Sequence, residues 1–197
     1  MAQLFVKKRY NTPEEKALSN AIEELDEDKD KLVEYAEGLH SADINLETKR
    51  VLEIMYPALT ESYDLMRKLV KDEYNINISK EIDWDKILYE KQDEFEKIVK
   101  DHTKVFILFG DDNKFIRQIS LILDTETVSI FNKGMYEELK DICDYAIVTG
   151  AVEGGCPKCF HGEVPIAELK LPPYHPGCRC VVKYEPRKQE DNDDDNA

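Results

Sequence analysis

The feature that most constrains this chain is a cluster of metal-binding residue types towards its C-terminal end. Four of the five cysteines and two of the four histidines lie between Cys156 and Cys180. The cluster opens with Cys156-Pro157-Lys158-Cys159 and closes with His175-Pro176-Gly177-Cys178-Arg179-Cys180. Two cysteines separated by two residues can present both thiolates to one ion, and a tetrahedral Zn²⁺ site needs four ligands. The cluster therefore predicts a small metal-binding module.

The ligands of this predicted site fall into two halves. Cys156 and Cys159 supply the first half, and the second comes from His175, Cys178 and Cys180. Side chains alternate between the two faces of an extended segment. If this segment is extended, Cys178 and Cys180 point to opposite faces, which favours His175 together with one of them. All five residues are candidate ligands, and four of them are expected to bind the ion.

The sequence leaves two alternatives to metal binding for the cysteines. Two disulfides could join the same loops, or the thiols could simply stay reduced. No apolar run near Met1–Tyr10 resembles a secretory signal. We therefore expect a soluble protein in a reducing compartment, where clustered cysteines favour metal over disulfides. A catalytic metal is disfavoured because four protein ligands close the site, and a catalytic thiol activated by His161 is disfavoured as well.

The charge balance limits the class of partner. The chain of 197 residues carries 42 Asp and Glu against 27 Lys and Arg, a formal net charge of −15. A surface this negative repels phosphate backbones, so sequence-independent nucleic-acid binding by the whole surface is not expected. The same charge favours solubility and basic partners.

The N-terminal part of the chain is predicted to be helical. Thr12 can cap a first helix, with Pro13 at its first position and Glu15 completing a capping box. The charged run 26–31 is either a solvated face of this helix or a turn between two helices. Residues 1–11 are expected to form an extended arm.

Four more helices are predicted from apolar residues at three- and four-residue spacing. They cover about 46–74, 83–109, 113–123 and 125–143, and the second of these is either continuous or broken before Val105. Pro57 is expected to kink or split the first of these. In the last one, Thr125 is expected to be the cap and Glu126 an acid favoured by the helix dipole, and Cys143 is expected to be a small core residue on the apolar side of the helix.

Beyond residue 144 the apolar period changes. The segments Tyr145–Thr149, Val164–Ile166 and Cys180–Tyr184 are strand candidates that could form a small antiparallel sheet beside the cysteines. The segment from Glu185 is too polar to fold alone. We predict an α+β protein with an N-terminal helical region over 1–111, a C-terminal domain over 112–184 and an acidic tail over 185–197.

The C-terminal part resembles the phage Mu protein F-like minor head proteins, also called phage head morphogenesis proteins. That family typically carries Thr-Glu-Thr in a helix, then a Cys-x-x-Cys pair, then Gly with a short apolar strand, and a Pro-Pro-x-His-Pro-x-Cys-Arg-Cys ending. The matching segments, over roughly 113–184, are Thr125-Glu126-Thr127, Cys156–Cys159, Gly162–Ile166 and Pro172–Cys180. The sequence departs from the pattern at Asp124, where the family often has Arg, and over 151–155, where it often has Asp-x-Arg-Val.

The resemblance implies a structural, non-enzymatic minor capsid protein of the virion. Such a protein is present in few copies, associates with the portal protein or major capsid protein during head assembly in the host cytoplasm, and in some relatives is linked to DNA delivery. Homo-oligomerisation and DNA contact stay open, and no membrane is involved. The alternative is a zinc-knuckle module of a cellular or toxin-associated protein that recognises a protein or nucleic acid. A hydrolase using Glu126 and the metal is disfavoured, because the sequence lacks a His/Asp/Glu set with an open coordination position.

Overall fold

A computed structural model of the chain describes residues 12–150, 159 and 161–187. Within these residues, five α-helices precede a three-stranded antiparallel sheet. The predicted α+β class, a mainly helical body with a small C-terminal antiparallel sheet, is confirmed. The predicted arm, Cys156 and most of the predicted tail lie outside the described residues.

The first helix, α1, runs from Pro13 to Ala36 without interruption. The hydroxyl oxygen of Thr12 accepts a backbone N–H of the first turn at 3.1 Å, as the capping signal predicts. The charged run 26–31 is part of the helix and not a turn. Leu25 and Leu32 flank the run and are both buried, so the apolar face continues across it.

The second helix, α2, spans Ile44–Tyr74 and is capped by the Asp43 carboxylate, which accepts the backbone N–H groups of Asn45 and Leu46. Pro57 lies inside the helix and does not split it. The residue is exposed, so the carbonyl that proline leaves without an intrahelical donor lies on the side of the helix that faces water. Of the two outcomes expected of Pro57, the split is therefore wrong, and the kink stays a prediction.

The third predicted helix is divided in two. A single turn, α3, covers Trp84–Ile87, and α4 covers Gln92–Phe109. The loop 88–91 joins them. Gly110 ends α4 with φ of +67°, a left-handed conformation that glycine adopts without steric cost.

The fifth helix, α5, runs from Asp112 to Leu139 as one element. The prediction of two helices meeting near Asp124 is wrong. Thr125 does not cap a helix: its hydroxyl donates to the carbonyl of Leu121, one turn earlier in the same helix, at 2.7 Å. The chain continues as a helix because the residues after Asp124 are buried against several neighbouring elements and no glycine or proline stops it.

The sheet contains β1 (Cys143–Gly150), β2 (Gly162–Pro165) and β3 (Cys180–Pro186), in the order β2-β1-β3. All three predicted strands are present. Gly162 pairs with Val148 of β1, and Cys180 pairs with Gly150. The beginnings of β2 and β3 therefore meet at the same end of β1. Cys143 is buried as expected, but it begins this sheet and does not lie on a helix.

The helices and the sheet share one apolar core. α5 packs against α1, α2 and α4 and also against β3, so this helix joins the helical body to the sheet. No helix in the described ranges is long and apolar enough to span a bilayer.

Candidate metal centre

Three cysteine sulfurs converge at the end of the sheet where β2 and β3 begin. The Sγ atoms of Cys159, Cys178 and Cys180 all lie within 4.8 Å of one another. The Sγ atoms of Cys159 and Cys178 are 3.7 Å apart. Cys178 and Cys180 are buried, and Cys159 is half-buried. We refer to these three residues as the sulfur cluster. Three of the five predicted ligands therefore share one place.

Cys178 and Cys180 were expected to point to opposite faces if their segment is extended, and this condition does not hold at Cys178. Strand alternation begins only at Cys180, where β3 starts. Cys178 lies in the preceding turn, where its N–H donates to the carbonyl of His175 at 3.0 Å. Gly177 has φ of +71° and reverses the chain there. The turn brings the Cys178 side chain to the same side as Cys180.

The spacing of the sulfurs fits a metal better than a disulfide. In a tetrahedral Zn²⁺ site with metal–sulfur bonds of about 2.3 Å, two sulfurs lie about 3.8 Å apart. The separation of 3.7 Å between Cys159 and Cys178 matches this edge. A disulfide bond would need about 2.05 Å. Cys143, Cys178 and Cys180 are free thiols, and the sulfur cluster could hold a metal ion.

His175, the fourth predicted ligand that the structure describes, lies beside the cluster. Its Nε2 is 3.4 Å from the Sγ of Cys159, and its Nδ1 is 2.9 Å from the carbonyl oxygen of Pro176. A carbonyl only accepts hydrogen bonds, so Nδ1 carries a proton. In a neutral imidazole the lone pair of Nε2 then faces the sulfur of Cys159. This tautomer is the one that metal-binding histidines commonly adopt.

The sequence reasoning considered His161 only as a disfavoured partner of a catalytic thiol and did not predict its contact with Cys180. Its Nε2 lies 3.3 Å from the Sγ of Cys180, although the residue is exposed. His161 precedes β2, and Cys180 begins β3. The two come together only because both strands flank β1 in this register. Spacing along the chain carries no signal for this contact.

The cluster favours a thiolate even without an ion. A hydrogen bond from the Cys180 side chain lowers the pKa of the Cys178 thiol, and the same bond, together with burial, raises the pKa of Cys180. The nearby Tyr174 has its pKa raised to about 12, first by burial and then by the negative charge of the cysteines. Thiolate is the form that binds metal. A bound cation would offset this concentration of negative charge.

Two residues of α5 hold the backbone around the cluster. The hydroxyl oxygen of Thr125 accepts the N–H of Gly177 at 3.1 Å. The Asn132 side chain donates to the carbonyl of Cys180 at 3.0 Å and accepts the N–H of Val182 at 2.8 Å. The sequence reasoning found Thr125 through the family signature but gave it a different role.

Asp124 contacts Arg179, the residue between the last two cysteines. An Nη2 of Arg179 lies 3.6 Å from a carboxylate oxygen of Asp124. Asp124 is the position where the resembling family often has Arg. In this chain the acid pairs with the exposed arginine of the cysteine turn and, at the shorter distance of 3.0 Å, with Lys29 of α1.

Glu126 lies in the middle of α5 and is not one of the close ligand atoms of the cluster. The expectation of an acid at a helix N-terminus is wrong, since Glu126 is only 4% exposed and accepts the N–H of Tyr89 at 2.7 Å. Burial raises the pKa of its carboxyl to about 7, although the Tyr89 bond and the charge of Lys133 oppose the rise. Its side chain holds the loop 88–91.

The donor atoms of the described part of the centre are of one kind. The group of close ligand atoms consists of sulfurs. Thiolates and imidazole together favour Zn²⁺ over hard cations such as Mg²⁺ or Ca²⁺.

No family model, no curated protein and no solved structure matches this chain.

Proposed function

We propose that this chain is a structural protein of a phage head, a minor capsid component that acts in head assembly. The observation that supports this most is the meeting of the two sequence signatures that carry the resemblance. Thr125 of the Thr-Glu-Thr segment bonds to Gly177 of the Pro172–Cys180 run at 3.1 Å. Segments 52 residues apart in sequence thus form one unit in space, as expected if the signature describes one folded module.

We further propose that the sulfur cluster binds a structural Zn²⁺. Cys159, Cys178 and Cys180 supply three ligands, and the fourth is His175 or Cys156, which lies outside the described residues. The ion would hold together the chain before β2 and the turn before β3. A closed four-ligand site performs no reaction by itself, which fits a structural role.

The proposed location is the portal vertex or capsid interior of the virion, with host cytoplasm as the site of assembly. The portal protein and the major capsid protein are the proposed partners. The net charge of −15 is compatible with an interior filled with DNA. An acidic protein is repelled by phosphates and would not be retained on the packaged DNA.

Quantitative mass spectrometry of purified heads tests this proposal. The phage that encodes the chain should carry it in a fixed, small number of copies per portal ring, and deletion of its gene should give defective heads. Complementation with Cys178→Ser should fail, whereas Cys143→Ala, which changes a cysteine outside the cluster, should restore assembly. If the chain is absent from heads and deletion leaves them normal, the head role is wrong. Recovery of the chain on a host protein or nucleic acid would then favour the zinc-knuckle alternative.

A further inference from the structure

The buried polar side chains of α5 form hydrogen bonds to different elements of the fold. Thr125 and Asn132, seven residues apart and therefore on one side of the helix, bond to the segment that carries Cys178 and Cys180. Thr127 lies 3.3 Å from the hydroxyl of Ser62 on α2. Ser129 donates to the carbonyl of Ile87 in α3 at 2.7 Å. All four of these α5 side chains are buried.

The Asn132 contacts fix β3 at two points. Its Nδ2 binds the carbonyl of Cys180 itself, and its Oδ1 binds the N–H of Val182, two residues further along the strand. Asn132 has no exposed surface, and Cys180 is 1% exposed. If the Asn132 amide is removed, the carbonyl of Cys180 and the N–H of Val182 each lose a hydrogen-bond partner, which is unfavourable for buried groups. The position of the Cys180 sulfur therefore depends on α5.

Thr125 acts on the turn that holds Cys178. Its hydroxyl donates to Leu121 within the helix and accepts from the N–H of Gly177, the residue just before Cys178. Leu121 also limits this turn, because a Cβ atom added to Gly177 would lie 3.1 Å from its Cδ1. The turn is thus held against α5 by one hydrogen bond and by close packing.

We infer that Thr125 and Asn132 are positioning residues of the metal centre, so that zinc binding and the docking of β3 on α5 are one coupled equilibrium. The inference rests on the proposed zinc site and extends it from the ligands to the helical body. Residues that orient metal ligands typically change metal affinity by about 10- to 100-fold when they are mutated. The two α5 residues touch ligand backbone without binding the ion themselves.

Zinc affinity of the full chain, measured by competition with a chromophoric chelator, tests the inference. Thr125→Val removes the hydroxyl and keeps the side-chain shape, and Thr127→Val makes the same change two residues away, where the hydroxyl faces α2. We expect Thr125→Val to weaken zinc binding about 10-fold and Thr127→Val to leave it unchanged. Thr125→Ser, which retains the hydroxyl, should keep native affinity.

A second pair of variants covers the case in which one valine variant fails to fold. Asn132→Ser should weaken zinc binding, whereas Ser129→Ala, which removes a buried bond of α5 to α3, should lower the thermal midpoint without changing zinc affinity. Co²⁺ spectra of the folded variants should differ from the native spectrum only for Thr125→Val and Asn132→Ser. Equal zinc affinity in the native chain and in both of these variants overturns the inference and leaves the zinc site standing. If the native chain binds no zinc, both fail.

Discussion

At the scale of single residues, the buried carboxyl of Glu126 is a group whose charge the fold disfavours. Burial raises its pKa from 4.5 to about 7, and Lys133 and Glu90 act on it with opposite sign. Lys133 donates to the carbonyls of Leu88 and Tyr89 in the same loop, and burial lowers the pKa of its amine. The loop 88–91 is thus held by two ionisable side chains of α5.

This geometry predicts a pH-dependent contribution to stability. Because the pKa of Glu126 is higher in the folded chain than in the unfolded chain, its contribution is fully present below about pH 4.5 and is lost as the pH rises through about 7. The loss amounts to as much as about 3 kcal/mol for a shift of this size. Glu126→Gln can still accept the Tyr89 N–H. The free energy of unfolding of this variant should lack the pH-dependent contribution of Glu126.

Denaturant titrations of the native chain and of Glu126→Gln at several pH values measure the difference between them. The native chain should lose stability relative to the variant between about pH 4.5 and 7. Glu94→Gln, a change of an exposed glutamate on α4, controls for the removal of one negative charge. A difference that stays constant across this range would contradict the account of Glu126.

Single residues also show where sequence reasoning succeeds and where it stops. The Thr12 cap was predictable, because a cap depends on neighbours within one turn. The candidates Cys178 and Cys180 do come together in space, but the direction of their side chains depends on where β3 begins. His161 approaches Cys180 only through the pairing of both strands with β1. Such contacts depend on register between distant segments, which a local pattern does not contain.

At the scale of elements, α5 was the least predictable part of the fold. The Thr-Glu-Thr segment has the residue types of a helix start, but its hydroxyl and carboxyl groups bond to α2, to the loop after α3 and to the cysteine turn. Local propensity therefore predicted a helix boundary near Asp124. The tertiary contacts of these residues stabilise a continuous helix instead. The strands and the other long helices followed from their apolar periods, apart from the break at 88–91.

The crossing of α5 with α2 gives a prediction about close packing. A Cβ atom on Gly134 would lie 2.5 Å from the terminal methyl of Met66, whose side chain is fully buried. Gly134→Ala should gain up to about 1 kcal/mol of helix propensity but lose about 1–3 kcal/mol through overpacking. We expect a net loss of stability in chemical denaturation.

Met66→Leu, which removes the atom that clashes, supplies the double-mutant control. The loss caused by Gly134→Ala should be smaller in the Met66→Leu background, since the two side chains are in contact. Strictly additive effects, or a Gly134→Ala variant more stable than the native chain, would contradict this account of the contact between Gly134 and Met66.

At the scale of the whole molecule, the proposed zinc site and the helical body are stabilised by separate sets of contacts. The sulfur cluster joins residues between 159 and 180, whereas α1, α2, α4 and α5 pack on one another. Cys156→Ser combined with Cys159→Ser should therefore disorder residues 145–184 and leave most of the helix. Far-UV circular dichroism should keep most of its helical signal, while amide exchange in β1 and β3 should become fast.

Cys143→Ala is the matched control, because Cys143 is a buried free cysteine of the same sheet that takes no part in the cluster. It should preserve slow exchange in β1 and β3. Loss of most helical signal in the double cysteine variant would refute this division of the chain.

The most direct test of the account is the metal content of the purified full chain, measured by native mass spectrometry beside elemental analysis. The account predicts one zinc per chain, retained on dilution, and lost in Cys178→Ser and Cys180→Ser but not in Cys143→Ala. A native chain that carries no metal and whose cysteines form disulfides would contradict it.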